Sequence, residues 1–100
     1  MADSIYTIEQ IKMYLCPVLK QYDVKSAILF GSYGKGNATS TSDVDLLVDS
    51  GLKGLKFVGL IEALRTAIGK DMDVFDVSHV EKGTEIDNEI NKTGVKIYEK

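Results

Sequence analysis

Two acidic residues separated by one apolar residue, Asp43 and Asp45, lie in an apolar segment that has the pattern of a buried strand. Successive side chains of a strand point to opposite faces, so both carboxylates are expected on one face and Val44 on the other. Neighbouring carboxylates repel each other unless a positive charge lies between them. Upstream, Gly31 and Ser32 offer backbone amides and a hydroxyl that can bind an anion. Together these residues predict a site for a divalent cation that carries a triphosphate.

The composition limits the classes of protein to which the chain can belong. It has 100 residues, 44% hydrophobic and 27% charged, which predicts one soluble globular domain over residues 1–100. A formal net charge of −3 argues against a basic surface that recruits nucleic acid. No signal peptide is recognisable, and no apolar run approaches the ~18–20 residues of a membrane span. We expect a cytoplasmic protein that contacts neither membranes nor nucleic acid directly.

Hydrophobic periodicity and turn residues divide the chain into alternating helices and strands. The predicted helices span about 8–22, 55–68 and 84–94, and the predicted strands span 26–30, 42–49, 71–77 and 95–99. Pro17 predicts either a kink in the first helix or its division into two short helices. The order predicts an α/β (α+β) fold with a single mixed sheet of about four strands and helices packed against it. The first two strands are expected to be neighbours and the last to lie at an edge.

The segment from Gly31 to Ser42 is rich in small residues and is predicted to be a loop. Three known motifs share parts of this region, and the sequence excludes each. The phosphate loop needs Lys and then Ser or Thr where Asn37 and Ala38 stand, and a helix where a strand is predicted. The dinucleotide-binding motif has its glycines in another order. An EF-hand loop beginning at Asp43 would have Leu47 where an oxygen ligand is needed.

A site with two cations usually needs a third carboxylate, and the third predicted strand offers three acids. Asp73 lies between two apolar residues that we expect to face the helices, so its own side chain should face the site. Asp71 is interpreted as a turn residue at the start of the strand. Asp76 is expected to point to the opposite face of the strand from Asp73, and to be solvated or to act as a cap. Asp73 is therefore predicted to join Asp43 and Asp45 as a ligand of Mg²⁺, or of Mn²⁺, in a two-ion site.

The glycine loop and the acidic strand together resemble the signature of the DNA polymerase beta-type nucleotidyltransferases: GSYGKG at 31–36 and SDVDLLV at 42–48. Within that superfamily the chain is similar, over nearly its whole length, to the minimal nucleotidyltransferases. These are often encoded beside a HEPN-domain partner. The resemblance implies the polymerase-beta-like fold and transfer of a nucleoside monophosphate, typically AMP from ATP, to a hydroxyl group.

The resemblance also implies roles for individual residues. Asp43 and Asp45 would hold both metal ions, Asp73 would ligate the catalytic ion and help to activate the acceptor, and Gly31 and Ser32 would bind the triphosphate. In some members the acceptor is a tyrosine of the HEPN toxin, and the nucleotidyltransferase acts as an antitoxin by adenylylation. We expect a HEPN-domain partner and ATP on this basis.

One departure from the family pattern affects the predicted phosphate site. Members commonly have Ala-Arg where this chain has Gly34-Lys35. Lys35 keeps the positive charge and is predicted to bind the nucleotide, but it lacks the planar guanidinium that holds phosphate with two donors. Tyr33, in the same loop, is interpreted as an aromatic that stacks on a base, contacts a partner or lies on the surface.

Two alternative functions are left open by the sequence. The chain could neutralise its partner by occlusion, with a vestigial metal site. It could also be a small-molecule nucleotidyltransferase, although such relatives usually carry an extra helical domain around the acceptor, which 100 residues cannot include. In both enzymatic interpretations the acceptor pocket is expected to be completed by a second chain, either a partner protein or another copy.

Overall fold

The computed structural model describes residues 5–36, 38–39 and 42–100. In chain order these residues form α1 (Ile8–Gln21), β1 (Ser26–Phe30), α2 (Ser32–Lys35), β2 (Val44–Asp49), α3 (Leu55–Ile68), β3 (Met72–Asp76), α4 (Glu85–Thr93) and β4 (Val95–Glu99). A 3₁₀ turn at Val77–His79 follows β3. The predicted order of elements is confirmed apart from α2, which the sequence did not predict. None of the helices in the described ranges is both long and apolar enough to cross a bilayer.

The short helix α2 lies inside the segment that was predicted to be a loop, so that prediction was wrong for Ser32–Lys35. Gly31, with a φ of 75°, precedes α2, and Gly36, with a φ of 80°, ends it. Because both glycines adopt conformations that other residues avoid, one helical turn fits between them. α2 lies inside the glycine segment rather than after it, and the next element that the structure describes is the strand β2, so the phosphate loop stays excluded, as Asn37 and Ala38 also indicate. Position 37 and positions 40–41 of the predicted loop lie outside the described residues.

The strands of the described residues form one mixed sheet in the order β3-β2-β1-β4. β1 pairs antiparallel with β2 and with β4, and β2 pairs parallel with β3. A parallel pair needs a crossover connection, which α3 provides between β2 and β3. The mixed sheet, the pairing of the first two strands and the edge position of β4 agree with the sequence prediction.

The apolar core lies between one face of this sheet and the helices α1 and α3. Alternate strand residues face it, and the fully buried side chains include Leu29, Val44, Leu46 and Val48 from strands and Ile11, Leu15, Leu19, Leu60 and Leu64 from helices. The fourth helix, α4, packs on the opposite face over β1. That face therefore stays partly open over β2 and β3, where Asp45 and Phe75 are half-buried and Asp73 is exposed.

The first helix begins with the capping box that Thr7 and Gln10 provide. Thr7 Oγ1 accepts a hydrogen bond from the Gln10 amide at 3.1 Å, and Gln10 Oε1 accepts one from the Thr7 amide at 2.9 Å. α1 continues through Pro17 as one helix, so the expected division into two short helices does not occur. Pro17 and Met13 are both exposed, so water can bond to the Met13 carbonyl that the proline leaves unpaired.

Asp76, at the end of β3, connects three segments of the chain and is only 2% exposed. Its Oδ1 accepts hydrogen bonds from the Ser50 amide at 3.0 Å and the Ser50 hydroxyl at 2.7 Å. Its Oδ2 accepts from the Ser78 amide at 3.0 Å and the Ser78 hydroxyl at 2.6 Å. Burial acts to raise the pKa of Asp76, but the hydrogen bonds from Ser78 and Ser50 outweigh it and lower the pKa to about 2. Of the two roles expected for Asp76, capping is confirmed and solvation is wrong.

We expect the Asp76→Asn variant to be less stable than the wild type at neutral pH and to lose most of that difference in acid. Because the folded-state pKa lies below the ordinary 3.8, the stabilisation is fully present above about pH 4 and disappears as the pH falls through about 2. The shift corresponds to about 2 kcal/mol in the free energy of unfolding. Urea unfolding of both proteins across this range measures the difference. The exposed Asp71→Asn variant is the control, and a pH-independent difference for Asp76→Asn would contradict the prediction.

Candidate active site

Asp45 and Asp73 lie side by side on neighbouring parallel strands. They are register partners in β2 and β3. Their side chains point away from the core, because the alternate residues Val44 and Met72 are buried in it. Asp43 lies immediately before β2, which begins at Val44 rather than at the predicted residue 42. The structure therefore brings Asp45 and Asp73 together as predicted, with Asp43 near enough for its charge to act on Asp45.

This arrangement raises the pKa of Asp45 to about 6. Burial is the largest cause, followed by the negative charges of Asp73 and Asp43, a hydrogen bond with the Asp73 side chain and the charge of Glu89. The proton is favoured because it reduces the repulsion among these carboxylates. A bound cation would reduce the same repulsion.

The fit of this site to a metal ion depends on its donor atoms. Within the described part of the chain, no three His, Cys, Asp or Glu side chains stand close enough together to hold a metal ion. What the structure contains is an adjacent pair, Asp45 and Asp73, with Asp43 nearby. Carboxylate oxygens are the ligands that Mg²⁺ prefers, often only one or two of them with substrate phosphates completing the shell. The donor set and the raised pKa of Asp45 therefore fit a hard divalent cation.

Gly31 places the backbone directly against the Asp45 carboxylate. A β-carbon at this position would overlap Asp45 Oδ2, and the φ of 75° is one that other residues rarely adopt. Only glycine therefore allows this close approach. Ser32 is half-buried and begins α2. The residues predicted to bind the triphosphate thus lie beside those predicted to bind the metal.

The end of α4 holds Gly31 in place through Thr93, a buried residue to which the sequence analysis gave no role. Thr93 Oγ1 accepts a hydrogen bond from the Gly31 amide at 3.0 Å and donates one to the Glu89 carbonyl at 2.8 Å. Glu89 also adds negative charge near Asp45. Both residues could be placed on a helix from the sequence, but no sequence signal indicates that this helix ends against β1.

Gly34 and Lys35, where the chain departs from the family pattern, both contact α4. A β-carbon on Gly34 would overlap the Thr93 carbonyl oxygen, so an alanine here would push α2 away from α4. Lys35 Nζ lies 3.5 Å from Glu89 Oε1, and both side chains are partly exposed. An exposed ion pair of this kind is weak. Lys35 is therefore near the site but paired, and its binding to the nucleotide stays a prediction.

Tyr33 is a core residue, so its interpretation as a base-stacking, partner-contacting or surface aromatic was wrong. It is 3% exposed and belongs to the apolar cluster. Its hydroxyl is buried, without a hydrogen-bond partner in the described part of the chain. The cause is α2, whose single turn directs this side chain inward rather than outward as a loop would allow.

A cleft of about 320 Å³ opens beside Asp45, between α4 and the sheet. Three adjacent strands supply Phe30, Asp45 and Phe75, and α4 supplies Glu85, Ile86 and Glu89. The Phe30 and Phe75 rings lie with centroids 5.9 Å apart. Asp45, one of the two paired acids, therefore borders a space with apolar and acidic walls.

Comparison with known proteins agrees with this geometry. The polymerase beta nucleotidyltransferase profile matches residues 9–100. The protein adenylyltransferase MntA of Thermococcus cleftensis is 34% identical over 86 residues, 80% of this chain and 87% of that protein. A Methanocaldococcus jannaschii relative, provisionally named a protein adenylyltransferase, is 36% identical over 75 residues, 73% of this chain and 81% of its own.

Solved structures show the same fold at lower sequence identity. A toxin–antitoxin structure with AMP-PNP has a TM-score of 0.74 at 22% identity, covering 89% of this chain and 73% of that one. A structure of the tri-AMPylated Shewanella oneidensis HEPN toxin with MNT antitoxin has a TM-score of 0.70 at 18% identity, covering 94% of this chain and 74% of that one. With its mixed sheet, paired acids and adjoining glycine turn, the chain belongs to the polymerase beta nucleotidyltransferase family.

Proposed function

We propose that this protein is an Mg²⁺-dependent adenylyltransferase that transfers AMP from ATP to a tyrosine of a HEPN-type toxin and acts as its antitoxin. The observation that carries the proposal is the pairing of Asp45 with Asp73, with the Gly31 backbone against Asp45. Membership of the family supports nucleotidyl transfer. The relative named a protein adenylyltransferase supports a protein acceptor. The HEPN partner is suggested by toxin–antitoxin complexes that share the fold.

In this proposal the donor side of the reaction is formed by one end of the sheet. Ser32 binds the triphosphate, Gly31 lets the backbone come close to it while its own amide donates to Thr93 Oγ1, and Lys35 reaches it when released from Glu89. Asp45 and Asp73 would hold Mg²⁺ with the charge of Asp43 nearby, and the ion would neutralise charge on the phosphates and on the departing pyrophosphate. Thr93 keeps the Gly31 amide at a fixed position relative to Asp45.

The transfer itself is an in-line displacement. The acceptor hydroxyl oxygen attacks the α-phosphorus, so that one P–O bond forms while the bond to the β-phosphate breaks. Pyrophosphate leaves, and the hydroxyl proton passes to the Asp73 carboxylate and then to water. Asp73 can accept this proton and then release it to water because its side chain is exposed on the open face of the sheet. The contribution of the protein is chiefly the positioning of donor and acceptor.

Titration calorimetry with ATP tests the donor half without any partner. We expect ATP to bind in the presence of Mg²⁺ or Mn²⁺ and to release no binding heat when the metal is chelated. An antitoxin that acts only by occlusion would give no metal-dependent heat, and that result would overturn the proposal. With a HEPN-domain partner, label from α-³²P-ATP should appear on the partner and disappear when its acceptor tyrosine is replaced by phenylalanine.

A further inference from the structure

We propose that the cleft between α4 and the sheet receives the acceptor, and that it selects a protein segment in which a basic residue flanks the aromatic hydroxyl. The inference rests on the proposed function, which provides the transfer step, and adds the chemistry that recognises the acceptor. Three properties of the cleft support it: its position, its apolar floor and its uncompensated charge.

The position of the cleft suits an acceptor rather than the nucleotide phosphates. Asp45 lines the cleft, whereas Gly31 and Ser32 do not. The cleft therefore adjoins the predicted triphosphate site, which it meets at Asp45 and where Phe30 precedes Gly31. A hydroxyl lying in the cleft would be beside Asp45, and so beside the cation and phosphates that Asp45 is proposed to hold.

The floor of the cleft is apolar and aromatic. Phe30 and Phe75 lie on the strands that flank β2, and Ile86 faces them from α4. Aromatic rings favour contacts with other rings at centroid distances of about 4.5–7 Å. The volume of about 320 Å³ is at the small end for ligand pockets, so it suits one aromatic side chain with its neighbours.

The negative charge of the cleft determines which residues can flank the accepting aromatic residue. Glu89 is paired with Lys35, and Asp45 is assigned to the cation. The Glu85 side chain is exposed and makes no hydrogen bond or ion pair with the other described residues. Glu85 is therefore available to the acceptor whether or not Lys35 stays paired with Glu89. A lysine or arginine beside the accepting residue would be attracted to it, whereas an acidic residue would be repelled.

Binding of unreactive peptides tests the cleft independently of transfer. The probes are two short fluorescent peptides, each with a central phenylalanine, one with flanking arginines and one with flanking glutamates. We expect the wild type to bind the basic peptide at least about tenfold more tightly, and Glu85→Lys to remove this preference. Glu85→Gln, which keeps the shape of the side chain, should give an intermediate affinity. Glu62→Lys, an equal charge change at an exposed residue of α3, should leave the preference unchanged.

Each result either supports or overturns the cleft as the acceptor site. Equal affinity for the two peptides, no binding of the basic peptide up to about 1 mM, or an equal effect of Glu62→Lys and Glu85→Lys would overturn it. Metal-dependent ATP binding is measured on the same wild-type sample. If the wild type binds no ATP but prefers the basic peptide, the proposed function alone is rejected. If it binds ATP in a metal-dependent way but shows no peptide preference, only the cleft is rejected as the acceptor site.

Discussion

Replacing Asp45 by asparagine should reduce adenylyl transfer by about three orders of magnitude while leaving the protein folded. The loss corresponds to about 4 kcal/mol of transition-state stabilisation. Asparagine keeps the shape of the side chain but removes the charge that would hold the cation beside the triphosphate. The measurement is the rate of label transfer from α-³²P-ATP to the partner under single-turnover conditions.

Asp45→Asn should also make the metal-free protein more stable. Lower activity together with higher stability distinguishes a site residue from a structural residue, whose replacement lowers both. Burial and the charges of Asp73 and Asp43 disfavour the Asp45 carboxylate in the folded state. Removing its charge should therefore stabilise the fold by about 1 kcal/mol at neutral pH, after allowance for solvent screening. Urea unfolding in a chelating buffer tests this.

Asp49→Asn is the matched control for Asp45→Asn. Asp49 lies on the same strand and, four residues further on, on the same face of the sheet. It pairs with Ser26 in register, at the other end of β2 from Asp73. We expect this variant to transfer AMP at the wild-type rate. Wild-type activity in Asp45→Asn, or an equal loss in Asp49→Asn, would contradict the assignment of the site.

Replacing Gly31 by alanine should lower both activity and stability. The β-carbon would overlap Asp45 Oδ2, and the left-handed backbone conformation would be strained. The backbone or Asp45 must then shift, and a displacement of about 1 Å can reduce a rate about a hundredfold. We expect at least this loss in transfer, and destabilisation of about 2–3 kcal/mol in urea unfolding.

Gly54→Ala separates the backbone strain from the overlap with Asp45. Gly54 has a backbone conformation close to that of Gly31, with φ 59° and ψ −133° against φ 75° and ψ −148°, but a β-carbon there would meet nothing within 4 Å. This variant should lose only the backbone contribution, about 1–3 kcal/mol, and should keep its activity. If Gly31→Ala were as active as Gly54→Ala, close contact between Gly31 and Asp45 would not be required for the reaction.

The sequence predicted most of the fold because its signals are local. The alternation in β2, the capping box at Thr7 and the glycine at the end of α3 each depend on residues close together in the chain. The failures also have a local cause. The one-turn helix α2 is too short to produce periodicity, so Tyr33 was interpreted as a loop residue instead of a core residue.

The candidate site was predicted in part. Asp45 and Asp73 were chosen by parity, and parity holds because side chains alternate along any strand. Thr93 and Glu89 could not be chosen, because their importance depends on where α4 lies. The role of Asp76 could not be predicted for the same reason. Its four hydrogen bonds join the end of β3 to Ser50, which follows β2, and to Ser78.

By itself, the sequence determined the order of the strands and of the three longer helices, the face on which Asp45 and Asp73 lie and the resemblance to nucleotidyltransferases. Only the tertiary structure decided that β3 pairs in parallel with β2, so that Asp73 lies beside Asp45, and that Thr93 holds Gly31 against them. It also decided that α4 packs over β1 and leaves the cleft between Glu85 and Asp45. The reason is that side-chain alternation is a property of each strand alone, whereas strand order and helix placement depend on how distant segments pack together to bury their apolar faces.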